Sequence, residues 1–256
     1  MKKRGYWKSA ALELKSLKKL MFAALICALS IVIGGFYITV GENLRVYFTF
    51  FLTAVGCSVY GPVVGMLAAV VTDTLNFLIF PTGPYFPGYM LGEMLAAVIY
   101  SLFLYRRKIT VLGLFSAKLL VNYIVNVALG SLWSKILYGQ GYLYYLVKSL
   151  VKNTLLLPFE VVALAALMGL LIPVFARFGL LPVHEKKDLR KLALSSSAFS
   201  AFGLSFLLGG LCSLYYGRTY TEGLVFPILG ICLCLLGIGL LIAGRIYLKK
   251  QQRNEE

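Results

Sequence analysis

Residues 118–133 read KLLVNYIVNVALGSLW, an apolar stretch that carries one lysine and two asparagines at intervals of four. In a soluble helix these polar side chains could simply point to water. In a helix that crosses a bilayer they meet no water, so they must face protein or a hydrated cavity. The solvent around this stretch therefore decides the fold, and the rest of the chain indicates which solvent it is.

The whole chain is strongly apolar. Of its 256 residues, 60% are hydrophobic and only 14% are charged, and the mean hydropathy is +0.84. A soluble domain could not cover its surface with so few polar residues, whereas runs of about 18 apolar residues are long enough to cross a bilayer. The composition predicts an all-α integral membrane protein. The first run lacks a signal-peptide cleavage pattern, so we expect a retained helix.

Eight membrane spans are predicted from the apolar runs, and no soluble domain of any size is indicated. The approximate bounds of the spans are 20–38, 46–60, 62–80, 89–105, 111–134, 148–175, 192–214 and 224–246. Gly61 and Pro62 predict a tight reversal between the second span and the third. The connections on the opposite side from the termini are predicted at 37–45, 81–89, 135–147 and 215–223.

The net charge of +15 indicates topology rather than nucleic-acid binding. Lysine and arginine concentrate in four segments that are separated by even numbers of predicted spans, at 2–19, 106–108, 177–191 and 245–253. All four can lie on one side of the membrane, and positively charged connections favour the cytoplasm. We therefore predict that both termini are cytoplasmic.

The cysteines and the single histidine offer no pattern for metal binding or catalysis. The five cysteines all lie in apolar segments, and His184 lies in a polar connection. The cysteine number is odd and no pair has the spacing of a metal site, which argues against a disulfide framework as well. We expect no metal, no cofactor and no enzymatic activity. A membrane-embedded enzyme, such as an intramembrane protease, would need paired acids or histidine-rich sites within its spans.

The polar residues of the fifth span share one face. At about 100° per residue, Lys118, Asn122, Asn126 and Trp133 fall within a narrow arc of a helix. We predict that Asn122, Asn126 and Trp133 contact a ligand, and that Lys118 has a structural partner or reaches the membrane surface. Hydrogen bonds between helices are the alternative for the asparagines, and an interfacial aromatic belt is the alternative for the tryptophan.

Two lysines of the sixth span also share a face. Lys148 and Lys152 lie one helical turn apart, and like charges at this spacing repel each other mildly. We predict that they recognise an anion, with extension of the side chains to the membrane surface as the alternative. Asp73, in the third span, is predicted either to pair with a lysine or to contact the ligand.

Two connections carry further candidates for ligand binding. Arg45 offers a planar fork that suits a carboxylate, although an exposed loop arginine with no specific role would look the same. The loop PTGPYFPGY, 81–89, contains three prolines and two glycines, so we predict a stiff, non-helical segment that presents Tyr85, Phe86 and Tyr89. These aromatic side chains could enclose a flat ring or could cap the bundle. Together the candidates predict an apolar pocket for a flat, anionic small molecule.

Several segments resemble, in order, the substrate-binding S component of energy-coupling factor (ECF) vitamin transporters, and in particular its folate-specific members. They are FAALICALSIVIGGF at 22–36, LRVYFTFFLTAVGCSVYGPVVGMLAAVVTD at 44–73, PTGPYFPGYMLGEMLAAVIY at 81–100, and the stretch that runs from KLLVNYIVNVALGSLWSKILYG at 118 to LVKSLVKNTLLLPFEV at 146–161. The resemblance covers roughly residues 18–175. The most specific segments are GPYFPGY and the stretch from the fifth span to the sixth.

The resemblance implies a six-helix protein of the bacterial cell membrane that binds folate from outside. Transport would be energised by a shared module of one transmembrane coupling protein and two cytoplasmic ATPases, and this chain indeed lacks a G-x-x-x-x-G-K-[ST] loop. Ala24 and Ala28 match the small residues with which the family contacts its coupling protein. Ordinary packing within the chain is the alternative for these alanines.

The resemblance also implies roles for the site residues. The glutamate carboxylates of folate would be attracted by Arg45, Lys148 and Lys152. The pterin edge would be hydrogen-bonded by Asn122, Asn126 and Asp73. The rings would be stacked on or enclosed by Tyr85, Phe86, Tyr89 and Trp133.

Two departures from the family pattern leave alternatives open. Lys148 stands where an arginine is expected in R-x-x-x-K-N, and two additional spans follow the six-helix region. We therefore predict a substrate-binding domain at 1–176, a basic linker at 177–191 and a two-helix extension with a basic tail at 192–256. An S component for another vitamin and a stand-alone secondary transporter are the alternatives.

Overall fold

The chain is almost entirely helical. The computed structural model describes residues 5–41, 44–81, 84–139, 141–180, 196–220 and 225–253. Within these ranges the α-helices are α1 (Tyr6–Ala11), α2 (Leu17–Gly34), α3 (Thr49–Ile79), α4 (Pro87–Leu104), α5 (Val111–Leu120), α6 (Gly130–Tyr138), α7 (Tyr142–Arg177), α8 (Ser196–Tyr220) and α9 (Val225–Arg253). A 3₁₀ turn, Leu12–Lys15, follows α1, and a π-helix, Val121–Leu129, joins α5 to α6. The predicted all-α membrane class is confirmed.

Seven helices within the described ranges are long and apolar enough to cross a membrane. They are Leu17–Gly34, Thr49–Ile79, Pro87–Leu104, Val111–Tyr138, Tyr142–Arg177, Ala198–Tyr215 and Pro227–Tyr247. Eight predicted spans correspond to these seven helices because the predicted spans 46–60 and 62–80 both fall largely within α3, which Gly61 divides in two. The part of α3 before Gly61 is only about 18 Å long at 1.5 Å per residue. The two predicted spans are therefore the two halves of one helical element, of which the first is the shorter.

The predicted reversal inside α3 is confirmed. Gly61 has φ 77° and ψ −173°, a non-helical backbone conformation that divides α3 into two helical halves. A Cβ added at Gly65 would lie 3.0 Å from the Sγ atom of Cys57. In an unbroken helix, residues eight positions apart are separated by about 12 Å along the axis. The chain therefore doubles back at Gly61, and the two halves of α3 pack against each other.

A short hairpin replaces part of the predicted first connection. The strands β1 (Tyr37–Gly41) and β2 (Leu44–Tyr47) pair antiparallel, so the predicted limits of the first span at 38 and of the second at 46 were wrong. The helix ends at Gly34 because this residue and the following Gly35 have low helix propensity. The residues beyond them are mainly aromatic and β-branched, which favours strands.

Three other predicted connections are shorter in the structure because the neighbouring helices extend further. α4 begins at Pro87, so Tyr89 lies on a helix and not on the predicted loop. α6 continues to Tyr138 and α7 begins at Tyr142, where a 135–147 connection had been predicted. α8 continues to Tyr220, beyond the predicted end at 214. The predicted linker overlaps 181–195, which lies outside the described residues.

The chain divides into two compact units. Unit 1 contains residues up to Ile109 together with the last part of α7 from Ala166, and unit 2 contains Thr110–Ala165 together with the residues from Leu192 onward. In unit 1, the core is formed mainly by side chains of α3 and α4, including the fully buried Ala54, Ala97 and Tyr100, with a few from α2. The end of α7 joins this core through an edge-to-face contact between Phe22 and Phe175.

In unit 2, the two C-terminal helices share a core with the helices before them. Phe202 of α8 packs against Phe115 of α5, with ring centroids 5.6 Å apart, and Phe206 packs against Phe159 of α7 at the same distance. The helices α5, α7, α8 and α9 all contribute to one cluster of buried apolar side chains. The predicted domain boundary at residue 177 rests on composition and stays a prediction. In the structure, α8 packs against α5 and α7 within unit 2.

Candidate functional site

A chain of polar side chains connects α7 with the π-helix inside unit 2. Asn122 is fully buried, and its Nδ2 atom donates to Oε2 of Glu160 at 2.8 Å. Asn126, one turn further along, donates from Nδ2 to Oδ1 of Asn122 at 3.1 Å. A longer contact of 3.4 Å joins the same nitrogen to Oδ1 of Asn153. The predicted polar face of the fifth span is therefore one side of a hydrogen-bonded network that it shares with α7.

An ion pair lies at one end of this network. The Nζ atom of Lys118 is 3.2 Å from Oε1 of Glu160, and the lysine side chain is almost completely buried. A charge buried among apolar helices is costly unless it is paired. The structural partner that we expected for Lys118 is therefore Glu160.

The π-helix Val121–Leu129 contains both asparagines of the network. A π-helix has wider i→i+5 hydrogen bonds, is rare, and occurs frequently at functional sites. Ser149 of α7 connects its backbone to the neighbouring helix by donating from Oγ to the carbonyl oxygen of Asn126 at 3.0 Å. Ser149 and Asn153 are also joined, since Asn153 Nδ2 donates to the Ser149 carbonyl oxygen at 2.8 Å.

The other candidates of unit 2 lie on α7 and α6. Lys148 is partly buried, its Nζ atom donates to the hydroxyl of Tyr144 at 3.0 Å, and it lies 4.8 Å from the centre of that ring. Lys152 follows one turn later and is also partly buried, as is Trp133 on α6. These three side chains are neither fully exposed nor fully buried, so their predicted contact with a ligand stays a prediction.

In unit 1, aromatic side chains gather around the start of α4. Tyr85 packs against Phe77 with tilted rings whose centroids are 5.0 Å apart, and Phe86 meets Tyr89 edge to face at 6.0 Å. Tyr85 is 44% exposed and Tyr89 is 38% exposed. Exposed aromatic surface therefore lies at the start of α4, and its contact with a ligand stays a prediction.

The remaining candidates of unit 1 lie on β2 and α3. Arg45 pairs with Thr39 in the hairpin register, and its side chain lies outside the described residues. Asp73 is half-buried on α3. Asn76, one turn later, lies against α2, because a Cβ added at Gly34 would come 2.4 Å from its Oδ1 atom.

A second charged cluster, which the sequence did not predict, fixes the N-terminal segment of unit 1. Oε1 of Glu13 accepts hydrogen bonds from the Tyr105 hydroxyl at 2.5 Å and from Arg106 at 2.9 Å, and it lies 2.7 Å from Nζ of Lys19. Burial opposes ionisation of Glu13, but these three donors outweigh it and hold the pKa of the carboxyl below its usual value. Burial, followed by the bond to Glu13, raises the pKa of Tyr105.

The family of the chain follows from a match over most of its length. The family model described as "ECF transporter, substrate-specific component" matches residues 18–182. The chain belongs to this family. The matched region corresponds closely to the resemblance seen at 18–175, and it identifies the chain as an S component, a part of a transporter.

Individual relatives of this S component match across most of their own length. It is 28% identical over 151 residues to the folate transporter FolT of Clostridium novyi (strain NT), covering 59% of this chain and 88% of that protein. It is 29% identical over 151 residues to FolT of Leuconostoc mesenteroides subsp. mesenteroides, covering 56% and 80%. A crystal structure of FolT bound with folic acid is similar with a TM-score of 0.53 and 29% identity, covering 57% of this chain and 89% of that one.

The alanines that the family pattern singled out lie on an open face of the S component. Ala24 and Ala28 are both exposed on α2, whereas Ala23, Ile26 and Ser30 of the same helix are buried. The two alanines thus point away from the packed face of α2. Packing within the described part of unit 1 does not cover them, and contact with a coupling protein stays a prediction.

The sequence predicted the polar face of the fifth span but not the side chains that it meets. Asn122 and Asn126 could be placed on one face by periodicity alone, but Ser149 gave no signal because serine is common in membrane helices. Glu13 was detectable in retrospect as the sole acidic residue among the basic residues 2–19. A lone acid among many cations is a sign of local ion pairing.

Proposed function

We propose that this chain is the folate-binding S component of an ECF-type ABC transporter. The observation that carries this proposal is its similarity to two folate transporters and to a folic-acid-bound structure across at least 80% of each. The chain would lie in a bacterial cell membrane with both termini in the cytoplasm. One transmembrane coupling protein and two ATPases would energise it, and the chain itself would use no cofactor.

The chemistry of unit 2 supports a ligand that is both flat and anionic. Lys148 offers an ammonium group beside the ring of Tyr144, which suits a carboxylate, and Asn126 offers an exposed amide, which suits the polar edge of a pterin. Buried polar networks restrict rotation of the amides that belong to them. For Arg45, Asp73, Tyr85, Phe86 and Tyr89 in unit 1, and for Asn122, Lys152 and Trp133 in unit 2, the proposed ligand contacts rest on the sequence.

A binding titration of the purified protein tests the ligand. We expect folate to quench tryptophan fluorescence at low concentration, and riboflavin, thiamine and biotin to leave it unchanged. Trp133→Phe removes the reporter proposed to lie nearest the ligand, so the signal should shrink although isothermal calorimetry still detects binding. Tight binding of another vitamin in place of folate would assign the chain to a different branch of the family.

The role of Lys148 can be separated from general binding by shortening the ligand. Lys148→Met should weaken folate binding by about tenfold, as expected for one charge-assisted hydrogen bond. The affinity for pteroate, which lacks the glutamate, should fall much less in Lys148→Met. The Lys148→Arg variant should retain binding of both ligands. An equal loss for folate and pteroate would show that Lys148 does not contact the glutamate.

Uptake by whole cells tests the proposed partners. Cells that express the chain with a coupling protein and both ATPases should accumulate labelled folate, whereas cells that lack the ATPases should only bind it. Accumulation without the ATPases would indicate a stand-alone secondary transporter.

A further inference from the structure

In the polar network of unit 2, the ion-paired carboxylate of Glu160 determines which neighbouring groups donate hydrogen bonds and which accept them. A carboxylate paired with an ammonium group only accepts hydrogen bonds, and Lys118 holds Oε1 of Glu160 at 3.2 Å. The other oxygen, Oε2, must therefore meet a donor, and the group that it meets is Nδ2 of Asn122 at 2.8 Å. If the Asn122 amide were turned over, two oxygen atoms would oppose each other at this distance. Glu160 therefore fixes the orientation of Asn122.

The orientation of Asn122 in turn fixes that of Asn126. With Nδ2 of Asn122 directed at Glu160, its Oδ1 atom faces Asn126 and accepts from Nδ2 of that residue at 3.1 Å. Asn122 is fully buried, so no water can take over either role. A turned Asn126 amide would again place oxygen against oxygen.

A second branch supports the same orientation of Asn126. Asn153 donates from Nδ2 to the carbonyl oxygen and to Oγ of Ser149, at 2.8 and 3.1 Å. Its Oδ1 atom is thereby directed at Nδ2 of Asn126, at a longer distance of 3.4 Å. Both N–H groups of Asn126 are used inside the protein, and in the described part of the chain no donor reaches its Oδ1 atom. Asn126 is exposed, so this oxygen is the group that it can offer to a ligand.

We propose that Glu160 is a positioning residue that fixes the Asn126 carbonyl oxygen as an acceptor, so that the ligand site selects a ring edge presenting an N–H donor. An isolated asparagine can turn over and offer either polarity, whereas this one is held by a chain of directed bonds that ends at an ion pair. The inference rests on the proposed function for the identity of the ligand. A pterin edge presents two such donors, the exocyclic amino group and a ring N–H.

Exchanging the acid and the amide between positions 122 and 160 tests the relay. Glu160→Gln alone allows the Asn122 amide to turn, and Asn122→Asp alone places two carboxylates together, so each should weaken folate binding by about tenfold or more. In the double variant Asn122→Asp/Glu160→Gln, the acid at 122 accepts from the amide at 160 and from Asn126, which restores the original polarity. We expect its affinity to return to within about threefold of the original protein, a strong departure from additivity.

Ligand analogues separate a positioning role of Glu160 from a merely structural one, because a structural role would not change the relative affinities for folate and its analogues. Two analogues, 2-desamino-folate and N3-methyl-folate, each lack one of the two donors. One of them should bind the original protein about tenfold more weakly than folate, because one buried acceptor loses its donor. This discrimination should shrink in Glu160→Gln and return in the double variant. Glu93→Gln, the same change in another span, is the matched control and should alter neither affinity nor discrimination. Additive losses in the double variant, or equal binding of both analogues and folate by the original protein, would overturn the proposal.

A measurement without ligand separates this inference from the proposed function. With asparagine-selective isotope labelling, the side-chain amide protons of Asn122 and Asn126 should exchange slowly with solvent in the ligand-free protein. In Glu160→Gln they should exchange quickly, and in the double variant the Asn126 protons should be protected again. Fast exchange in the original protein would refute the relay. If folate fails to bind but the protection pattern holds, the ligand assignment is wrong and the positioning role of Glu160 stands.

Discussion

At the scale of single residues, Gly61 has the largest structural consequence. Its φ of 77° with ψ of −173° lies in a region that residues other than glycine rarely adopt. A Cβ at this position would also come 2.9 Å from the ring of Tyr105. The reversal of α3 thus requires a residue that has neither a side chain nor the usual restriction on φ.

We predict that Gly61→Ala destabilises the protein by about 1–3 kcal/mol, the range expected for a strained backbone conformation. Gly141→Ala is the matched control, because an added Cβ there meets no atom within 4 Å. Thermal unfolding in detergent, followed by far-ultraviolet circular dichroism, measures both. Equal melting temperatures for the two variants would contradict the requirement for glycine at 61.

At the scale of elements, the helix pair α8–α9 is held together by close contact between backbones. Gly203 and Gly210 of α8 oppose Gly237 and Gly230 of α9, and a Cβ at any of the four would come within 3.0 Å of atoms on the opposite helix. Small residues permit such approach, and packing rather than the hydrophobic effect drives helix association in lipid. The spacing of seven residues on each helix could be read from the sequence, but which glycines would meet could not.

For this pair, we predict that Gly210→Ala destabilises unit 2 by about 1–3 kcal/mol, because an overpacked interface must separate. The added Cβ would come 2.5 Å from Sγ of Cys234 and 2.7 Å from the carbonyl oxygen of Gly230. Gly239→Ala, on the open face of α9, should be neutral or slightly stabilising. A loss of stability in both variants would point to helix propensity or insertion and not to the interface.

The N-terminal segment is a second element whose attachment depends on one carboxyl group. The folded-state pKa of Glu13 lies below its ordinary value of 4.5. Its contribution to stability is therefore complete above about pH 4.5 and is lost as the pH falls through the lowered folded-state pKa. Acidification should release residues 6–15 from Tyr105 and Arg106 before the apolar helices unfold.

Fluorescence of Trp7, which lies on α1, measures this release in a Trp133→Phe background, since the chain contains only two tryptophans. We predict a constant emission above about pH 4.5 and a shift below it. Glu13→Gln should give the shifted emission at neutral pH, whereas Glu93→Gln should behave like the parent. An emission independent of pH in all three proteins would show that Glu13 does not hold the segment.

At the scale of the whole molecule, the proposed function requires the S component both to fold and to present a surface to the proposed transport partners. α2 contributes little to the core, since only 17% of its span is buried, and Ala24 and Ala28 lie on its open side. Apolar residues around them, including Met21, Leu25 and Val32, are also exposed. Lipid can cover such a face, but small residues spaced by one turn favour close approach of another helix.

We predict that Ala24→Trp or Ala28→Trp abolishes most folate uptake without changing folate affinity, because the bulky ring blocks the coupling protein but lies away from the core of unit 1. Copurification with the coupling protein should decline in parallel. Ala163→Trp, a change of an exposed alanine on α7, should leave uptake and copurification intact. Loss of affinity in the α2 variants would place these alanines in the fold and not at an interface.

The amino-acid sequence by itself determined the solvent, the class of fold, the approximate spans and the family. These features depend on composition and on local periodicity, which each segment carries regardless of its neighbours. The sequence could also place Lys118, Asn122 and Asn126 on one face, because helical geometry is local.

Only the tertiary structure decided what those side chains meet. Glu160 lies 38 positions from Asn122, and Tyr105 lies 92 positions from Glu13, so no local pattern connects them. The shared core of α8 with α5 and α7 likewise depends on contacts between distant segments. Hydrogen-bond direction and packing are properties of pairs of groups in space, and the order of residues along one helix contains only half of each pair.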